Sequence, residues 1–338
     1  MAQKFFLNKY LFSYICKIES LSFLISGLTL GLSFYFECRG MRVIKPVDLF
    51  AFIVSLITFI FLLIIYLLKK SFSKITNRTR TIASLEHHFC FKNYIIFSFY
   101  FISIPTILHF FSLPSIKSNV ASICAPYGII IFYLFILFKR FLINLNCNQV
   151  TFLVIHFFSF FILLGHILYR SIDEENPILS VIQLFCSVIL NGILLITKYS
   201  FHTLKISDLL LVSLIGSFFS TVYFFFSSLL LKKCDLKSFQ TLLYQTIKFT
   251  KTWPYLSALL RNVIGLNFYF FMVKKKSILI EFIPYVILFS GIPLAILILD
   301  EWESIESYEK IMRLLSILLI IIALFVHMLS FFKSGERK

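Results

Sequence analysis

Charge is scarce in this sequence, and acidic charge is scarcest. Of 338 residues only 14% are charged, with 16 Asp or Glu against 32 Lys or Arg. Soluble domains carry about 25% charged and roughly 45–50% apolar residues. Here 59% are hydrophobic and the mean hydropathy is +0.92, so a water-soluble fold would be left with apolar surface that it could not cover. Cysteines are few and scattered: Cys16, Cys38, Cys90, Cys124, Cys147, Cys186 and Cys234 stand singly, with no C-x-x-C and no histidine at ligand spacing. That argues against structural zinc and against a disulfide framework. H-E-x-x-H, a nucleophile elbow, a Walker loop and an aspartate-rich prenyltransferase signature are all missing. The sequence therefore predicts no enzyme, no catalytic residue, no metal and no cofactor. No removable signal peptide is expected, because the first apolar run begins near Leu21 without a small-residue cleavage site; the first span is expected to stay as an anchor.

What is present is a succession of apolar runs. With a window of about 19 residues they fall near 20–37, 47–68, 93–113, 119–138, 150–169, 177–197, 206–231, 253–273, 278–299 and 311–332. Each is long enough to cross about 30 Å of hydrocarbon. The expectation is an all-α integral membrane protein of ten transmembrane helices. The 44 Phe reflect coding bias as much as structure, so single Phe residues carry no functional weight. The net charge of +16 lies in short loops, which points to membrane orientation and not to nucleic acid. Alternate connections hold 19 basic residues on the side of the N-terminus and 12 on the other, which also carries Asp173-Glu174-Glu175 and Asp300-Glu301. Both termini are expected in the cytosol. The sequon Asn77-Arg78-Thr79 then stays unmodified.

A repeat is legible. Ala125-Pro126-Tyr127 opens one span and Ile283-Pro284-Tyr285 another, 158 residues apart at the prolines. Two later spans end in Gly165-His166-Ile167-Leu168 and Val326-His327-Met328-Leu329, their histidines 161 apart. Five spans per half is an odd number, so residues 1–170 and 171–338 are expected to form two inverted five-helix repeats, the architecture of alternating access.

Ionisable and amide groups inside spans cost on the order of 2.5–3.5 kcal/mol for a central Lys or Arg and are functional candidates by default. Asn119, Tyr127, Tyr133, Gln183, Asn191, Tyr223, Arg261, Asn262 and Asn267 qualify, and Lys274-Lys275-Lys276 stand between the eighth and ninth spans. Arg261 reads equally as a cation facing an anionic substrate or as half of a structural pair. The lysine run reads as a positive-inside loop or as a phosphate-attracting mouth. His109, His156, His166, His202 and His327 are expected to be packed or interfacial imidazoles.

Several local patterns, in order along the whole chain, resemble the nucleotide-sugar transporters of solute carrier family 35, subfamily A, in the drug/metabolite transporter superfamily. Phe36-Glu37-Cys38-Arg39 resembles the close of that family's first helix. Leu113-Pro114-Ser115-Ile116-Lys117-Ser118-Asn119-Val120 resembles the turn into its fourth. Phe138-Lys139-Arg140 with Gln149 and Gly165 resembles its fifth, and Gly265-Leu266 with Val273-Lys274 and Ser277-Ile278-Leu279 resembles its eighth and ninth. There are departures. The family's substrate-associated Lys falls on Val273, its following Tyr on Lys274, its Asp on Lys276 and its Asn on Ser277, and its fourth-span Gln and Lys are replaced within Ser122-Ile123-Cys124-Ala125.

The resemblance implies a carrier in the Golgi or endoplasmic reticulum membrane that exchanges a cytosolic nucleotide-sugar, a UDP-sugar first, for a luminal nucleoside monophosphate. It allows a homodimer. Tyr127, Asn119, Asn262 and Asn267 are then expected at base and ribose, Arg261 and Lys274 at phosphate. Two alternatives stay open: a carrier of another metabolite in the same superfamily, and a non-transporting membrane subunit that kept the fold.

Overall fold

The structure is a computed structural model that describes residues 2–44, 47–76, 91–139, 147–171, 177–200, 206–230, 252–275, 277–298 and 306–335, with a few positions between them. Side chains are described over these stretches except at 2–17, 72–76, 113–119, 136–139, 197–200, 206–208, 274, 330–335 and some single positions. Among the described residues all regular structure is helical. We label α1 Ala2–Val43, α2 Val47–Thr76, α3 Phe91–Ser98, α4 Ile104–Cys124, α5 Gly128–Lys139, α6 Cys147–Ser171, α7 Pro177–Ser200, α8 Ile206–Leu230, α9 Trp253–Ser257, α10 Leu266–Lys274, α11 Ile283–Leu297 and α12 Ser307–Gly335. Wide π-helical turns, Phe99–Ser103 and Ala258–Gly265, join α3 to α4 and α9 to α10; a 3-10 turn, Ile278–Phe282, leads into α11.

Nine described stretches are long and apolar enough to cross a bilayer, so the chain is a multi-pass membrane protein. They are Ile18–Val43, Val47–Ser71, Asn93–Ser112, Cys147–Tyr169, Ile178–Ile196, Leu209–Leu229, Trp253–Val273, Leu279–Leu297 and Ser307–Leu329. They match nine of the ten expected runs. The remaining run, 119–138, differs: its apolar helix, Val120–Phe135, is shorter and broken at Ala125-Pro126-Tyr127. Pro126 brings no N–H, and the chain passes the break on tighter bonds, Tyr127 N–H to Cys124 O at 3.1 Å and Ile129 N–H to Pro126 O at 3.1 Å. The turn expected over Leu113–Val120 is instead part of the helix α4.

Apolar side chains face outward, as lipid contact requires: Phe158, Phe161, Ile178 and Phe325 are all exposed. Hydroxyls and small residues turn inward, where helices approach closely and polar groups bond across them. Gly128 illustrates the approach, since a Cβ there would lie 2.5 Å from the Asn191 carbonyl carbon and 2.6 Å from Gly192 N.

Packing pairs the helices in a regular way. The widest contacts are α6 on α12, α2 on α8, α4 on α7 and α1 on α11. α1 also lies along α9, its wide turn and α10. Hydrogen bonds follow the same scheme. Ser159 Oγ donates to Ser316 O at 2.9 Å while Ser316 Oγ donates to Ser159 O at 3.4 Å, across 157 positions of sequence. Ser26 Oγ donates to Gly265 O at 3.0 Å and Gln183 Nε2 to Phe111 O at 2.8 Å; Ser26 and Gln183 are separated by that same spacing. Ser103 Oγ donates to Gly216 O at 2.7 Å, and Asn262 Nδ2 to Thr58 Oγ1 at 3.0 Å.

Candidate functional site

Three polar ensembles interrupt the apolar interior. The first is charged. Glu37, near the end of α1, is fully buried and gathers partners from three other stretches. His109 Nε2 of α4 lies 2.5 Å from its Oε2; on Oε1, Ser257 Oγ of α9 donates at 2.9 Å and Arg261 Nη1 of the wide turn stands at 3.5 Å. Ser257 and Arg261 are four residues apart on one helical path, which brings both to the same carboxylate oxygen. Phe34 covers the imidazole, ring centroids 5.3 Å apart. A carboxylate out of water needs such a partner set, because breaking a buried pair leaves a charge with nothing to offset it. Chemically the cluster is an ionic clasp that ties α1 and α4 to the stretch containing Arg261.

The second ensemble is uncharged. Ser55 and Thr58 of α2, Ile102 and Thr106 of the third span, Ser213, Ser217 and Ser220 of α8, and Asn262 and Leu266 of the Trp253–Val273 span enclose a cavity with room for about one water-sized guest. Most of these residues come from the middle of their spans, whereas Ser213 is the fifth residue of Leu209–Leu229.

The third is a seam along α6 and α12. His327 Nε2 lies 3.5 Å from Glu281 and stacks on Phe152 at 4.5 Å between centroids. His156 Nε2 and Tyr285 Oη are 3.2 Å apart, Tyr127 Oη and Ser159 Oγ 2.7 Å. Further along, Arg313 Nε donates to His166 Nε2 at 3.2 Å, with Glu309 at 3.7 Å from the same guanidinium.

The residues expected at the site do not converge on one point. Arg261 is buried on Glu37, so its charge already has an anion beside it. Asn262 lines the cavity. Asn267 Nδ2 donates to Asn262 O at 3.3 Å and Val263 O at 2.6 Å, tying off carbonyls that the wide turn displaces. Tyr127 belongs to the seam, bonded to Ser159. The side chains of Asn119 and Lys274 lie outside the described residues. Histidines 109, 156, 166 and 327 are packed, as expected, but each has a polar partner.

Sequence reasoning passed over Glu37, Glu281 and Arg313. Each sits at the edge of an apolar window, where a charge reads as interfacial; Arg313 is nevertheless only 1% exposed. Their partners come from other spans, His109 and Arg261 for Glu37, His327 for Glu281 and His166 for Arg313, so only the Glu281–His327 pair joins neighbouring spans. Among the described residues no three His, Cys, Asp or Glu side chains are grouped to hold a metal ion. Comparison of the chain with family models, with curated proteins and with solved structures finds no match.

Proposed function

We propose that this protein is a membrane carrier of the drug/metabolite transporter type, working by alternating access between two inverted halves. The observation that carries the reading is the paired set of contacts between the first five expected spans and the second five. Ser26 to Gly265 answers Gln183 to Phe111, Ser103 to Gly216 answers Asn262 to Thr58, and Ser159 and Ser316 bond to each other. α1 on α11 answers α7 on α5 in the same way, while α2 with α8 and α6 with α12 pair with their own counterparts. Halves related in this manner can exchange conformations around a shared midplane site.

The sequence resemblance makes the cargo a nucleotide-sugar, exchanged for a nucleoside monophosphate across a Golgi or endoplasmic reticulum membrane. A second reading, an uncharged polar metabolite, is favoured by one observation: Arg261 faces Glu37, so its charge is already met by a carboxylate and not by a phosphate. Counterflow in proteoliposomes separates the two. Vesicles preloaded with UMP, GMP or CMP are offered radiolabelled UDP-, GDP- and CMP-sugars. Uptake that depends on one monophosphate supports the exchanger and names its base. Silence from folded protein in every pair refutes the nucleotide-sugar reading and sends the assay to neutral metabolites.

A further inference from the structure

The hydroxyl-lined cavity has a chemical bias that goes beyond its position. Among the described residues, Ser55 Oγ and Ser213 Oγ have no hydrogen-bond partner, although the two residues are only 2% and 5% exposed. Orphaned buried hydroxyls are costly unless something in the cavity meets them. The other polar groups have already committed their protons elsewhere. Thr58, Thr106, Ser217 and Ser220 donate to the carbonyls of Val54, Ile102, Leu214 and Gly216, at 2.8, 2.7, 2.9 and 3.1 Å. Asn262 Nδ2 donates to Thr58 Oγ1. Thr58, Thr106, Ser217 and Ser220 are therefore left with oxygen lone pairs, and the free hydroxyls of Ser55 and Ser213 can rotate to turn theirs to a guest bearing positive charge.

The cavity lining contains no carboxylate, which disfavours calcium and magnesium, both of which draw on acidic ligands. Its size admits one water-sized ion. Two of its walls belong to the wide turns, Ile102 in one and Asn262 in the other, and π-type turns within helices are frequent at functional sites.

We propose that Ser55, Thr58, Ser213, Ser217 and Asn262, drawn from α2, α8 and the Trp253–Val273 span, form a binding site for a monovalent cation of sodium's size. Binding of the ion stands on the cavity alone; its coupling to cargo movement rests on the carrier reading.

The test is thermal unfolding of the purified full-length chain in mild detergent, in equal concentrations of sodium, potassium or choline chloride. Sodium is expected to raise the melting temperature by about 2 °C for each tenfold increase well beyond half-saturation, an increment that potassium and choline do not give. The double variant S55A/S213A loses that response, whereas S71A, which removes an exposed hydroxyl on α2, keeps it. Should the double variant fail to fold, saturable binding of radioactive sodium to the native protein, undisplaced by choline, decides the matter. Equal melting temperatures in sodium and choline, or a sodium response that survives S55A/S213A, overturn the proposal and leave the cavity to water. Sodium binding with silent counterflow refutes the cargo reading only, and counterflow without sodium binding refutes this one only.

Discussion

Replacing Glu37 by glutamine removes the only carboxylate among the described partners of Arg261 and leaves a guanidinium buried in the membrane interior. At an N···O separation of 3.5 Å and an effective dielectric constant of about 20, the direct attraction is about 5 kcal/mol, much of it offset by desolvation of both ions. Removing one partner restores none of that desolvation, so E37Q is expected to destabilise by about 3–5 kcal/mol. R261Q should lose less, because Glu37 keeps His109 and Ser257. The double variant E37Q/R261Q buries no net charge and should recover about 2–3 kcal/mol relative to the sum of the two singles. Melting temperatures in detergent follow the order native, R261Q, E37Q, with E37Q falling by roughly 5–10 °C and the double variant falling by clearly less than the two singles together. If the double variant loses as much as the two singles together, Glu37 and Arg261 are not coupled, and the ionic clasp is refuted.

Further outcomes are equally specific. G128A should lower the melting temperature by the equivalent of about 1–3 kcal/mol, since its new methyl meets main chain at Asn191 and Gly192, whereas G165A, with no atom within 4 Å, should be neutral or gain about 0.5–1 kcal/mol. A chain whose only cysteines are S159C and S316C should form an intramolecular crosslink on oxidation; a folded protein that does not crosslink contradicts the α6–α12 pairing. N267L removes the side-chain bonds to the Asn262 and Val263 carbonyls and should cost about 0.5–1.5 kcal/mol while leaving the KM for transported cargo unchanged, and a raised KM at normal stability would return Asn267 to the substrate site.

Spans were the most legible feature, because hydrocarbon thickness imposes a run length that composition cannot hide. Their interruptions were partly legible. Pro126 announced the break before α5, but Pro114, in a segment rich in serine and lysine, read as a turn and lies within helical backbone, which membrane helices tolerate. Nothing in the residues at 99–103 or 258–265 marks a wide turn; that geometry is set by what the helix packs against. Of the site, Arg261 and Asn262 stood out because charge and amide deep in an apolar run are rare. Glu37 and Arg313 did not, since hydropathy measures a window and not the neighbour that covers its end. The cavity serines were invisible for the opposite reason: buried serine is common on these helices, and only the third dimension shows which hydroxyls have given their protons away.

The self-pairing of α6 with α12 has a consequence for how the chain is made. His156, Ser159 and His166 enter the membrane with α6, but Tyr285, Ser316 and Arg313, which answer them, are encoded much later, in the Ser159–Ser316 case by 157 residues. At synthesis rates of about 5–20 residues per second, the nascent protein holds these groups against lipid or a helper for roughly 8–30 seconds before their partners emerge. A chain terminated before α12 never receives Arg313 and Ser316, and it should be recognised as unassembled and degraded even though its first half is intact.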